Sequence, residues 1–153
     1  FAHVTLLRAE PEIGAGLAVL LLVTVALTDA GAYVCGKLLG RHKLAPTLSP
    51  KKTWEGSIGG GLLSIGGASL LFVLSAHYAK LPDWSLPHYM LTAACMSGIS
   101  QLGDLMESAM KRSAGIKDSG VLFPGHGGVL DRCDGYLFAA PLLYYIVAFP
   151  KSL

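Results

Sequence analysis

Residues 13–34, IGAGLAVLLLVTVALTDAGAYV, decide the fold. Their only charged member is Asp29. About 20 apolar residues in a helix, each rising about 1.5 Å, cross the hydrocarbon layer of a bilayer. The run therefore predicts a membrane span with Asp29 near its far end. The whole chain points the same way: of its 153 residues 52% are hydrophobic and only 14% charged, with a mean hydropathy of +0.53. Soluble domains carry about 25% charged residues. The length fits one domain, residues 1–153. The net charge of +2 is too small and too dispersed to argue for nucleic acid.

Working outward, residues 1–12 are short and mixed and read as a loop. Residues 34–56, VCGKLLGRHKLAPTLSPKKTWEG, form a first polar loop, in which Pro46 and Pro50 oppose a continuous helix. Residues 57–79 make a second span, whose glycines suit close approach of a neighbouring helix. Two prolines mark a turn at 80–87, where Trp84 and Tyr89 suit a headgroup-level aromatic belt. A third span runs from His88 to about Leu105, with a helical pattern continuing to Arg112. A fourth covers Gly135–Phe149 and contains Pro141, which membranes tolerate. The expected fold is all-α: a polytopic integral membrane protein with about four transmembrane helices and two polar loops.

Of the twelve lysines and arginines, five fall in residues 34–56 and four in residues 105–133. Arg8, Lys80 and Lys151 fall on the other side. Positive loops stay in the cytoplasm, so both long loops are expected there. Cys35, Cys95 and Cys133 have no CxxC spacing, which argues against a disulfide framework or a zinc site. The chain opens without Met and without a readable signal peptide. A fragment of a longer chain, preceded by further helices, is expected.

The second polar stretch, Ser108–Asp134 (SAMKRSAGIKDSGVLFPGHGGVLDRCD), concentrates charge beside apolar runs. Charge in that position usually handles ions or charged substrates. Asp104, Glu107, Ser108 and Lys111 recur at i, i+3, i+4 and i+7 and so share one helix face. Asp131 and Asp134, spaced i, i+3 at the start of the last helix, can share another. Acids from two helices meeting at one point would suit Mg²⁺, a hard cation that takes oxygen ligands. The competing reading has these acids merely pairing with Lys111, Arg112 or Arg132. That reading is preferred for Glu107. Metal is favoured for Asp104 and Asp131, while Asp29 and Asp134 stand between the two. Pro124–Gly128, PGHGG, can turn backbone N–H groups toward an anion and leads into a helix start, itself an anion site. Lys111, Arg112, Lys117 and Arg132 supply countercharge for phosphates. In the first loop Ser49, Lys52 and Thr53 of SPKKT add a second basic and hydroxyl-bearing segment. His126 reads as a hydrogen-bond donor to phosphate, with an ordinary loop histidine as competitor. No GxSxG, HExxH or Walker A pattern is present in the sequence.

The spacing S-x-x-K-R-x(4)-K-D-x-G-x(3)-P-G-H-G-G-x-x-D-R-x-D resembles the signature of the phosphatidate cytidylyltransferases (CDP-diacylglycerol synthases). It is carried by Ser108, Lys111, Arg112, Lys117, Asp118, His126, Gly127, Gly128, Asp131, Arg132 and Asp134. Asp29–Gly60 is similar to a second block of that family, and Gly103, Asp104 and Glu107 also fit. The resemblance implies a membrane nucleotidyltransferase of phospholipid biosynthesis. It would join CTP to phosphatidate, giving CDP-diacylglycerol and diphosphate, and would require Mg²⁺, with a second cation left open. Asp104 and Asp131 would be the principal metal acids, with Asp134 and Asp29 as further candidates. Asp104, Asp131, Lys111 and Asp134 are expected to carry catalysis. Ser108, Arg112, Lys117, Asp118, His126, Gly127, Gly128, Arg132, Ser49, Lys52 and Thr53 are expected to hold substrate. A bacterial inner membrane, a site facing the cytoplasm and a homodimer complete the expectation. A CTP-dependent polyprenol or phytol-type kinase and a transporter of an anionic metabolite are the alternatives.

Overall fold

The computed structural model describes residues 2–75, 80–116 and 130–149, the side chains of 130–132 excepted. It is mostly helical. The helices are α1 (Ala2–Arg8), α2 (Gly14–Leu38), α3 (Trp54–Ser75), α4 (Leu86–Ser113) and α5 (Leu130–Ala148). Two short strands, β1 (Lys43–Ala45) and β2 (Ser49–Thr53), lie between α2 and α3. Both α2 and α3 are long and apolar enough to cross a membrane.

Three expectations need correction. Residues 2–8 are helical, not loop: Leu7 is buried in the core and α1 packs on α2 and α5, so tertiary contact fixes a helix too short to persist alone. The first polar loop is not all irregular. Its middle is an antiparallel hairpin pairing Lys43 with Thr53 and Ala45 with Ser49, so the chain is not purely α. Tyr89 is no belt residue. It is fully buried, its hydroxyl donating to the Pro82 carbonyl at 2.7 Å.

Glycine decides how α2 meets α3. A Cβ on Gly31 would stand 2.9 Å from the Gly59 carbonyl oxygen, and one on Gly60 would stand 2.5 Å from the Thr28 oxygen. The two backbones therefore touch there, as expected of helices joined through small residues. Thr24 and Thr28, buried in α2, return their hydroxyls to the Leu20 and Thr24 carbonyls at 2.7 and 2.8 Å. Polar side chains so satisfied are tolerated in an apolar helix. Next to α3 lies α4, and α5 packs on α4.

The core fills one end of this bundle. Leu17, Leu20, Leu21 and Val25 of α2 meet Ala68 and Leu71 of α3, Tyr89, Ala93 and Met96 of α4, and Ala139, Leu143 and Val147 of α5. The opposite end carries the hairpin, the last turns of α2 and α4, and the first turns of α3 and α5. The polar residues gather there.

Candidate active site

The hairpin sets the first wall. Pro46 bars a helix, and the chain reverses at residues 46–48 between the strands. Thr53 ends β2 and caps α3, its Oγ1 accepting the Gly56 N–H at 3.2 Å. The Glu55 carboxylate accepts from the His42 backbone N–H at 3.3 Å and meets the His42 ring at 2.6 Å. These contacts tie the hairpin to the first turn of α3. Lys51, Lys52 and Thr53 are thereby held over the ends of α2 and α4.

Beneath them lies a cavity of about 290 Å³, here the inner cavity. Its walls include Asp29 and Tyr33 of α2, Lys51, Lys52 and Thr53 of β2, Ser57 of α3, and Gln101 and Asp104 of α4. Lys52 forms an ion pair with Asp104. Ser57 and Gln101 hydrogen-bond across α3 and α4. A second cavity of about 290 Å³, the outer cavity, lies between the hairpin turn and the last turns of α4. Leu48, Ser49, Pro50 and Lys51 line one side, and Ser108, Lys111 and Arg112 the other. Lys51 lines both cavities.

Asp104, in the wall of the inner cavity, belongs to a group of three carboxylates. Asp104, Glu107 and Asp134 each offer an oxygen within 4.8 Å of the others. Gly103 allows this approach of α4 to α5, since a Cβ there would run into the Phe138 ring and stand 3.2 Å from the Asp134 carbonyl oxygen. Asp134 Oδ1 accepts the Gly135 N–H at 2.7 Å. Glu107 is buried; its Oε2 lies 3.2 Å from Lys111 Nζ, and its Oε1 has no hydrogen-bond donor among the described residues. Like charges held so close repel unless a proton or cation joins them. Three hard oxygen donors this close together, one of them on the buried Glu107, fit a divalent cation such as Mg²⁺.

The sequence-predicted residues divide as follows. Asp104, Asp134 and Lys111 come together at the cluster. Asp29, Lys52 and Thr53 line the inner cavity, and Ser49, Ser108, Lys111 and Arg112 the outer one. Asp131 and Arg132 fall in the first turn of α5, with side chains outside the described residues. Lys117, Asp118, His126, Gly127 and Gly128 also lie outside them. Glu107, which the sequence favoured as a mere pairing partner, does pair with Lys111 and also belongs to the cluster. Tyr33, Ser57 and Gln101 were missed. Gln101 carried a signal, standing at i−3 from Asp104 on the same helix face.

The chain matches the model of the "Cytidylyltransferase family" over residues 1–149. It is 49% identical over 142 residues to a phosphatidate cytidylyltransferase of Synechocystis sp., covering 91% of this chain and 46% of that protein. It is 47% identical over 140 residues to one of Brucella suis, covering 92% of this chain and 50% of the relative. Against one of Bacillus subtilis the identity is 44% over 128 residues, covering 82% and 45% respectively. The chain thus spans about half the length of the curated relatives it matches. A match that runs through the walls of both cavities and the three carboxylates leaves one assignment: the chain belongs to the cytidylyltransferase family.

Proposed function

We propose that the chain carries the active site of a membrane phosphatidate cytidylyltransferase, in which CTP and phosphatidate give CDP-diacylglycerol and diphosphate. One observation carries this reading: two cavities lined by lysine share Lys51 as a common wall, and Asp104 of the carboxylate cluster lines the inner one. A reaction that joins two anions needs two adjoining anion sites. The relatives' printed names supply the substrates. A transporter would hold its charges near the bilayer midplane, whereas these gather at one end of the helices.

In the same reading α2, α3, α4 and α5 all cross the bilayer. The hairpin and the α4–α5 connection then share the cytoplasmic face, as their lysines and arginines favour. A bacterial inner membrane fits the bacterial relatives.

The chemistry is an in-line displacement. An oxygen of the lipid phosphate attacks the α-phosphorus of CTP. The new O–P bond forms as the bond to the β-phosphate bridging oxygen breaks, and diphosphate leaves with that electron pair. The attacking phosphate is already ionised near neutral pH, so no general base is required. What this chain must supply is position and charge. Lys52 is held by Asp104 at the inner cavity, and Lys111 by Glu107 at the outer. Lys51 faces both. These cations offset repulsion between the reactants and stabilise the departing diphosphate. Asp104, Glu107 and Asp134 would hold Mg²⁺, with Asp131 and Asp29 as further candidates, and the ion would add Lewis-acid charge at the phosphate oxygens.

The test uses the full-length protein in lipid–detergent micelles with labelled CTP and phosphatidate, with and without Mg²⁺. A nucleotide-tagged lipid, formed only with the divalent cation, is expected. Failure of the unmutated protein to form it under any cation would overturn the assignment.

A further inference from the structure

The two cavities differ in charge and in depth, and the difference divides the substrates between them. Resting on the function proposed above, we propose that the outer cavity binds the polyphosphate chain of the nucleotide and the inner cavity the single phosphate of the lipid. In the outer cavity Lys51, Lys111 and Arg112 converge with Ser49 and Ser108, and among the described residues no carboxylate lines the wall. A triphosphate carries several negative charges along its length and needs such a row of cations and hydroxyls. The inner cavity sets Lys51 and Lys52 against Asp29 and Asp104. Its cations are matched by acids, and it suits one phosphate group.

Depth gives the same division independently. On α4 the inner cavity is lined by Gln101 and Asp104, the outer by Ser108, Lys111 and Arg112. The two sets stand about eight residues apart, or about 12 Å along a helix. Gln101 bonds Ser57, one turn inside the apolar span that opens at Trp54. The inner cavity therefore lies at the level where the apolar helix begins, where a lipid phosphate is held by its own acyl chains. The outer cavity stands beyond it, toward water, from which a nucleotide arrives. Along α4, Asp104 and Glu107 follow Gln101 and precede Ser108, at the step from the inner cavity to the outer, where the α-phosphorus and the attacking oxygen must meet.

The proposal is tested in the full-length enzyme by varying each substrate at saturation of the other. Ser49 and Arg112 line only the outer cavity, and Lys52 only the inner. Ser49→Ala and Arg112→Ala should raise the KM for CTP, by tenfold or more for Arg112→Ala (about one broken charge-assisted pair), and leave the KM for phosphatidate within about twofold. Arg112→Lys should recover part of the loss. Lys52→Ala should do the reverse, raising the KM for phosphatidate. Inorganic tripolyphosphate should compete with CTP, and its inhibition should weaken in Arg112→Ala by the same factor as CTP binding. A rise in the phosphatidate KM in Arg112→Ala, or equal rises for both substrates, would overturn the division. Absence of product from the unmutated protein would overturn instead the function on which it rests, and that result precedes any variant.

Discussion

At one end of the bundle Leu17, Leu20, Ala93, Met96 and Leu143 are shut off from the surface, and α1 closes the same end through Leu7. At the other end Tyr33 and Leu38 of the same α2 are largely exposed, and Asp29, Lys52, Asp104, Glu107, Lys111 and Asp134 face cavities or one another. A single helix thus belongs to two regimes. Its first half is packed against α1, α3, α4 and α5, while its second half borders space that other molecules can fill. The packed end holds the helices at fixed spacing, and the polar end spends part of that stability on carboxylates brought closer than their charges favour. Substitutions at the two ends should therefore separate stability from turnover.

The largest effect is expected at the polar end. Asp104→Asn keeps the shape of the side chain, removes one of three mutually repelling charges and releases Lys52 from its partner. Turnover with CTP and phosphatidate should fall by about a thousandfold, equivalent to about 4 kcal/mol of barrier. The thermal unfolding midpoint in detergent without divalent cation should change little, because the repulsion removed offsets the Lys52 ion pair lost. A variant that kept a tenth of its turnover, or lost its fold, would break the division between the two ends.

Met96 is the counterpart at the packed end, fully buried in α4 and in contact with Thr24. If α4 crosses the bilayer as proposed, lipid offers a side chain nearly the same apolar surroundings as the core, so truncation loses packing more than hydrophobic transfer. The cavity left by Met96→Ala should cost on the order of 2 kcal/mol. Denaturant titration should show that loss, while turnover per folded molecule stays within about twofold. A large fall in turnover at full stability would mean that the packed end also shapes the site.

The sequence carried the helices well where apolar runs were long. α2, α3, α4 and α5 lie where composition placed them, with boundaries shifted by a few residues: α2 runs on to Leu38, and α5 opens at Leu130, ahead of the apolar run. It did not carry α1, because a seven-residue helix has no signal of its own beyond the partner it packs on. Nor did it carry the hairpin, whose strands are short and polar; Pro46 said only what the loop could not be. In the site, Asp104 and Lys111 were legible from helical spacing. That Lys51 and Lys52 would lie over α4 was not, because the contact joins residues some fifty positions apart through a turn with no periodicity. Glu107 shows the limit of choosing one role per residue: it pairs with Lys111 and also belongs to the carboxylate cluster.

The smallest expected effect sharpens the comparison most, because sequence and structure assign its residue to different surroundings. As a belt residue Tyr89 would present its hydroxyl to water and headgroups, and its loss would be nearly neutral. In the fold the ring is buried, edge-on to Phe72 and Trp84 with centroids 5.8 and 5.7 Å away, and the hydroxyl reaches the Pro82 carbonyl at 2.7 Å. Tyr89→Phe keeps the ring packing and deletes that one bond, while the Pro82 carbonyl still accepts the Trp84 N–H at 2.9 Å. A net hydrogen bond is worth about 1 kcal/mol, so denaturant titration should register a loss of about that size, with the KM for both substrates unchanged. The site lies near the other end of α4, beyond the packed layer formed by Ala93 and Met96. A shift in either KM would show that the turn at Pro82 is coupled through α4 to Asp104, and the two ends would then have to be treated as one unit.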